Sequence, residues 1–184
     1  MDEAKRSNSR RILQSYAVLL SIASVVVLLD EWTQLWVRDN LAFGQSWMPL
    51  TWLAPYARLV HWGNEGAAFG LFNGEGIGDF FAVLAIVVTA LILYYFPKLD
   101  TGGWMLRFAF GLQLGGALGN LIDRLTIGYV TDFISVGRFA VFNIADAGIT
   151  VGAGLLLLFT WLHRDDEEEA VVEEGERSAD ASVL

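Results

Sequence analysis

The chain has no cysteine, two lysines, two histidines and three prolines among 184 residues. Without cysteine there can be no disulfide, thiolate nucleophile, CxxC redox pair or cysteine-ligated zinc or iron–sulfur centre. His61 and His163 stand far apart and no HExxH spacing occurs, so the usual zinc-hydrolase ligand sets are missing as well. No GxSxG elbow, GxGxxG turn or Walker pattern is present. Charged residues make up 18% of the chain, against about 25% in an ordinary soluble domain. The sequence pI is ≈ 4.6 and no basic cluster lies beyond the first eleven residues, so no nucleic-acid partner is expected.

Apolar residues are abundant instead, at 54% of the chain with a mean hydropathy of +0.46. Four apolar stretches, 12–29, 80–96, 104–122 and 141–162, approach the roughly 20 helical residues that cross about 30 Å of hydrocarbon. The expected fold is therefore an all-α membrane protein of four transmembrane helices. The segment 39–79, rich in Gly and aromatics with strand-like pieces such as ARLVHW, is expected to form a small β-containing extracytoplasmic cap between helices one and two. The boundaries read as a cytoplasmic N-terminus 1–11, a four-span domain 12–162 and a tail 163–184.

Nothing resembling a cleavage site follows the first span, only LLDEWTQLW, so it reads as a retained anchor. The tail holds nine Asp/Glu against one Arg in 165–184 and is expected to be a disordered, solvated terminus. Four spans put both termini on one side. That side carries Lys5, Arg6, Arg10, Arg11, Lys98, Arg107 and Arg164, against Arg38, Arg58, Arg124 and Arg138 opposite, so the termini are expected in the cytoplasm. The tryptophans, among them Trp32, Trp104 and Trp161, fall near span ends or in the cap, as interfacial anchors do.

On this topology the polar residues gather at the outer interface. Asp30 closes span one, Asn64 lies in the cap, Asn120, Asp123 and Arg124 end span three, Asp132 sits in the next outer loop, and Asn143 and Asp146 open span four. Acids at span ends can simply be solvated, and Asn143 or Asp146 can cap a helix. Asp146, inside the apolar run FNIADAGITVG, is the hardest to explain that way, because ionisable groups within a membrane are costly. Two carboxylates brought together at such a boundary cannot both ionise easily, which makes an acid/base pair. Such a pair can hydrolyse a peptide bond through an activated water. Both lysines lie on the terminal side, so a Ser/Lys pair at the outer face lacks its base. No cofactor and no metal are expected.

The phrases NEGAAFG (64–70), GGALGNLIDRLTIGYVTDFI (115–134) and FNIADAGITVG (142–152) resemble the motif blocks of bacterial lipoprotein signal peptidases, the signal peptidase II family. The resemblance implies an intramembrane aspartyl endopeptidase that removes signal peptides from prolipoproteins before a diacylglyceryl-modified cysteine. It implies a bacterial inner (cytoplasmic) membrane location, an active site at the outer face, and prolipoproteins and membrane lipids as partners of a monomer. The catalytic pair it implies is Asp132 and Asp146, with Asp123 in support. Asn120 and Arg124 would organise the loop and the substrate backbone, Asn143 would support the pair, and Asn64 would contact substrate. Asp30 matches the acid closing span one, but Gln34 stands where the family commonly has Lys, which leaves Arg124 or water as its expected partner. The stretch FISVGRFAVF between Asp132 and Asn143 is short for the family.

Gly115, Gly116 and Gly119 read as a small-residue stripe for close helix packing, and Gly66 with Ala67 and Ala68 as room for a substrate backbone. Three other readings stay open on the residues alone. One is a four-span proton or cation transporter subunit using the same acids. Another is a lipid transferase with Asp123, Asp132 and Asp146 around a divalent metal, and the third is an inactive lipoprotein binder.

Overall fold

The computed structural model describes residues 2–66, 76–98, 103–137 and 139–163, with side chains from residue 9 onward. Its elements run α1 (Asp2–Asn40), β1 (Ser46–Trp47), β2 (Ala57–Asn64), α2 (Ile77–Tyr95), α3 (Gly103–Thr126), β3 (Val130–Val136) and α4 (Ile144–Leu162). The acidic tail from residue 164, Ala67, Ala68 and Arg138 lie outside the described residues.

The first helix is much longer than the stretch 12–29. No Gly or Pro occurs before Gly44, so nothing in the backbone stops the helix at Asp30. α1 runs 39 residues, roughly 58 Å at 1.5 Å per residue, and the chain turns at Gly44 with φ 79°. Asp30 therefore sits inside a helix rather than at its end. The helix also continues N-terminally through the segment 1–11 as far as Asp2.

α1 from Ser9, α2 with its following 3-10 turn, and α4 are each long and apolar enough to cross a membrane. α3 has the length, at 24 residues, but carries Arg107, Gln113, Asn120, Asp123 and Arg124. It tolerates them because it is the inner helix, packed against α1, α2 and α4. The bundle is apolar outside and polar at one end inside. Leu13, Leu28 and Leu157 are at least 67% exposed, while Asp30, Gln34 and Asn143 are 0% exposed. Lipid supplies no hydrophobic drive for helices to associate, so close contact has to do it.

The glycine stripe provides that contact. A Cβ on Gly115 would lie 2.6 Å from the Val26 Cβ, one on Gly119 would lie 2.8 Å from Asp30 Oδ2, and one on Gly116 would collide with the Ala145 carbonyl. α3 thereby draws α1 and α4 against its two sides. Away from the polar end, Leu19, Ala23, Ile92, Phe96 and Leu114 form the apolar core, and the Tyr16 hydroxyl donates to the Leu93 carbonyl at 2.7 Å.

The cap is an antiparallel sheet in the order β1-β2-β3. ARLVHW does form a strand, β2. The third strand comes from the loop between α3 and α4, so the sheet ties the cap to the polar end of the bundle. β2 and β3 pair with Trp62 opposite Asp132, Gly63 opposite Thr131 and Asn64 opposite Val130, with a register shift between Leu59 and Trp62. Val37, Leu41 and Phe133 pack beneath the sheet and seat it on α1. After Gly137, at φ 55°, the short stretch before Asn143 doubles back, and Phe142 exchanges backbone hydrogen bonds with Ile134.

Candidate active site

Two aspartates end up in one cluster at the polar end of the bundle, each delivered by a different element. Asp132 lies in the middle of β3, 1% exposed, between neighbours that are all buried. Asp146 lies in the first turn of α4. That helix begins at Asn143, whose side-chain oxygen accepts the Asp146 backbone N–H at 2.7 Å, satisfying one of the N–H groups that a helix start leaves open. The Asp146 charge acts on the Asp132 carboxyl and raises it.

Each acid is held by an asparagine. Asn64, diagonal to Asp132 across the β2–β3 pair, donates from Nδ2 to Asp132 Oδ2 at 2.9 Å. Asn120 on α3 donates from Nδ2 to Asp146 Oδ1 at 2.7 Å, and its own Oδ1 accepts from Asn143 Nδ2 at 2.9 Å. These amides fix one oxygen on each carboxylate. The other oxygen of Asp132, Oδ1, is buried without a hydrogen-bond partner among the described residues. Burial first, and the Asp146 charge second, push the Asp132 carboxyl up to about 8, against the opposing effect of the Asn64 hydrogen bond and Arg124.

Arg124 supplies the positive charge. It reaches over the Asn120 carbonyl at 3.2 Å and the Gly66 carbonyl at 3.4 Å, and its guanidinium lies 5.4 Å from the Phe81 ring. Gly66 in turn donates its N–H to Asn64 Oδ1 at 3.0 Å. Arg124 thus links α3 to the edge of β2 beside the acids.

Asp123 and Asp30 play a different part from Asp132 and Asp146. Asp123 Oδ2 accepts the Thr131 backbone N–H at 2.8 Å and Oδ1 pairs with Arg38 at 3.3 Å, closing the turn from α3 into β3. Asp30 accepts the Ala145 backbone N–H at 3.0 Å on one oxygen and the Gln34 side-chain amide at 2.8 Å on the other. The expected partner of Asp30, Arg124 or water, is thus corrected: Gln34 itself fills that place, one helical turn along. All eight residues singled out in the sequence, Asp30, Asn64, Asn120, Asp123, Arg124, Asp132, Asn143 and Asp146, gather in one cluster. Gln34, read in the sequence only as a departure from the family's Lys, joins the same network, as do Arg38 and Thr131, which the sequence did not place at the site. The signal for the first two was the polar i, i+4, i+8 spacing from Asp30 on an apolar helix.

A family model described as signal peptidase (SPase) II matches residues 22–162. The lipoprotein signal peptidase of Halothermothrix orenii is 37% identical over 140 residues, covering 76% of this chain and 92% of that one. The lipoprotein signal peptidase of Shouchella clausii is 38% identical over 138 residues, covering 74% and 88%. A bacterial membrane enzyme solved in meso at 2.3 Å superposes with a TM-score of 0.74 at 28% identity, covering 82% of this chain and 91% of its own. A second, at 1.9 Å, gives 0.68 at 30% identity, covering 77% and 91%. Apolar helices wrapped around one polar end make this a multi-pass membrane protein, and the matches make it a peptidase. The chain belongs to the signal peptidase II family. The transporter reading finds no support in these comparisons, and the polar cluster is confined to one end of the bundle.

Proposed function

We propose that Asp132 and Asp146 form the catalytic pair of this peptidase, and that it removes signal peptides from prolipoproteins before a diacylglyceryl-modified cysteine. The observation that carries the pair is its geometry. A buried carboxyl from β3 and a half-buried one from α4 share the polar end of the bundle, each anchored through one oxygen by a separate asparagine, with an arginine beside them.

Near neutral pH the Asp132 carboxyl keeps a proton, and Asp146 acts as the base. Asp146 takes a proton from water as the water oxygen bonds to the scissile carbonyl carbon. Asp132 gives its proton to the carbonyl oxygen, forming a neutral gem-diol. When the C–N bond breaks, Asp146 returns its proton to the leaving amine nitrogen and a diol hydroxyl reprotonates Asp132. The pair is regenerated and no covalent enzyme intermediate forms. Asn64 and Asn120 hold the acids on line, and Arg124 steadies the charge.

In this reading the substrate's acyl chains stay in the bilayer while its peptide reaches the polar end, so the membrane concentrates substrate beside the acids. The proposed setting is the bacterial inner membrane, with both termini cytoplasmic, the pair at the outer face and a monomer as the working unit. The excess of Lys and Arg on the terminal side supports that orientation. The test is to incubate purified protein with a diacylglyceryl-modified prolipoprotein in detergent and excess chelator, and to map the cut by mass. A cut directly before the modified cysteine supports the reading. A cut elsewhere, or a reaction that the chelator abolishes, overturns it.

A further inference from the structure

The residues immediately before the two acids, Thr131 and Ala145, are both fastened to one face of α1. Asp30, Gln34 and Arg38 stand at i, i+4 and i+8 on that helix, so their side chains stack along one stripe. The stripe forms a continuous hydrogen-bonded row. Arg38 Nη1 donates to Thr131 Oγ1 at 2.7 Å and to Gln34 Oε1 at 3.2 Å. Gln34 Nε2 donates to Asp30 Oδ2 at 2.8 Å, and Asp30 Oδ1 accepts the Ala145 N–H at 3.0 Å.

We infer that Gln34 and Arg38 are positioning residues that set the separation of Asp132 and Asp146 by tying β3 and the start of α4 to a single rigid helix. The inference rests on the pair proposed above and adds two residues to it. The row explains why a glutamine suits the middle position. Gln34 is 0% exposed and has to accept from Arg38 while donating to Asp30, and a side-chain amide does both at once. It also explains the length of α1. Arg38 lies more than two turns beyond Asp30, and the overhang brings it level with Thr131 on the sheet.

Neither residue contacts the acids. Asp132 is gripped by Asn64 and Asp146 by Asn120, so loosening the row leaves each carboxyl its own hydrogen bond and alters the distance between them. Such a change lowers turnover with little effect on substrate binding. A misplacement of about 1 Å costs up to about a hundredfold in rate.

The experiment compares full-length wild type, Gln34→Met, Arg38→Met and the double variant, each in detergent, with Asp132→Asn and Asp146→Asn assayed alongside. Met keeps the helix propensity of both side chains and the length of Gln34, is shorter than Arg38, and removes the hydrogen bonds of either. We expect kcat to fall at least about tenfold in either single variant with KM within about twofold. The double variant should fall no further than the worse single, since a row cut once is already cut. The alkaline limb of the pH–rate profile should move to lower pH, because acids held less tightly together repel less. If Arg38→Met does not fold, Arg38→Lys carries the same expectation, because it keeps the charge beside Asp123 and gives up the planar reach to several acceptors. Unchanged kcat in these variants while both Asp→Asn variants are dead overturns the row and leaves the pair standing. Losses that multiply in the double variant overturn the row equally. Activity surviving in an Asp→Asn variant overturns the pair and the row with it.

Discussion

The Asn64 side-chain amide donates to Asp132 Oδ2 at 2.9 Å, so a residue of the cap strand β2 holds an acid of the neighbouring strand β3. The cap is in this sense part of the site. Asn64→Leu removes a bond that favours the charged carboxylate, so the alkaline limb of the pH–rate profile should move upward from wild type. The rate should fall about tenfold as Asp132 loses its fixed orientation. Rate measurements across pH check both, and a limb that moves down would contradict the assignment.

The raised Asp132 carboxyl also makes stability depend on pH. Its ordinary value is 3.8 and the folded value is about 8. Below both values the folded and unfolded chains are alike protonated. Between them the unfolded chain has released a proton that the folded chain retains, so folding stability falls as pH rises through this window. Asp132→Asn cannot release that proton. Its thermal unfolding midpoint should gain on wild type steadily from about pH 4 to about pH 8 and hold a constant lead above that. The same titration should end wild-type activity on the alkaline side near pH 8.

Close packing gives a third expectation. A methyl group on Gly119 would press on Asp30 Oδ2 at 2.8 Å and on the Ala145 Cβ at 3.3 Å, at the centre of the site. Gly119→Ala should cost about 1–3 kcal/mol of stability and lower activity as well. Gly154 on the same bundle faces open space, so Gly154→Ala should be neutral or slightly stabilising. Unfolding of the two variants side by side reads the contrast.

Asn143 caps α4 through the Asp146 N–H, and its Nδ2 supports Asn120. Asn143→Ala should lose about 0.5–2 kcal/mol from the cap alone. The larger effect should be on turnover, because Asn120 then holds Asp146 without its own support. A variant that melts lower while keeping full kcat would separate the cap from the chemistry.

Much of this arrangement was legible in the residues themselves. Hydropathy located four helices, and the span ends brought Asp30, Asn120, Asp123, Asp132, Asn143 and Asp146 to one face. Two features were not legible, for physical reasons. A hydropathy scan ends span one at the first acid, but an acid that finds the Ala145 N–H and the Gln34 amide is no helix terminator, so α1 continues to Asn40. The strand β3 was hidden because it exists only through pairing with β2, across a separation that local pattern does not encode. With the overhang hidden, Gln34 and Arg38 could be named in the sequence but not placed in the network beside Asp30.

The central claim is that two carboxyl groups, Asp132 and Asp146, perform the hydrolysis. The most direct measurement is single-turnover cleavage of a diacylglyceryl-modified prolipoprotein by wild type, Asp132→Asn and Asp146→Asn, with chelator present and folding confirmed by thermal unfolding. Each Asn keeps the shape and removes the titratable group. The account predicts that both variants fold, bind substrate and lose at least about a thousandfold in rate. A folded variant of either aspartate that cuts at near wild-type rate would contradict it.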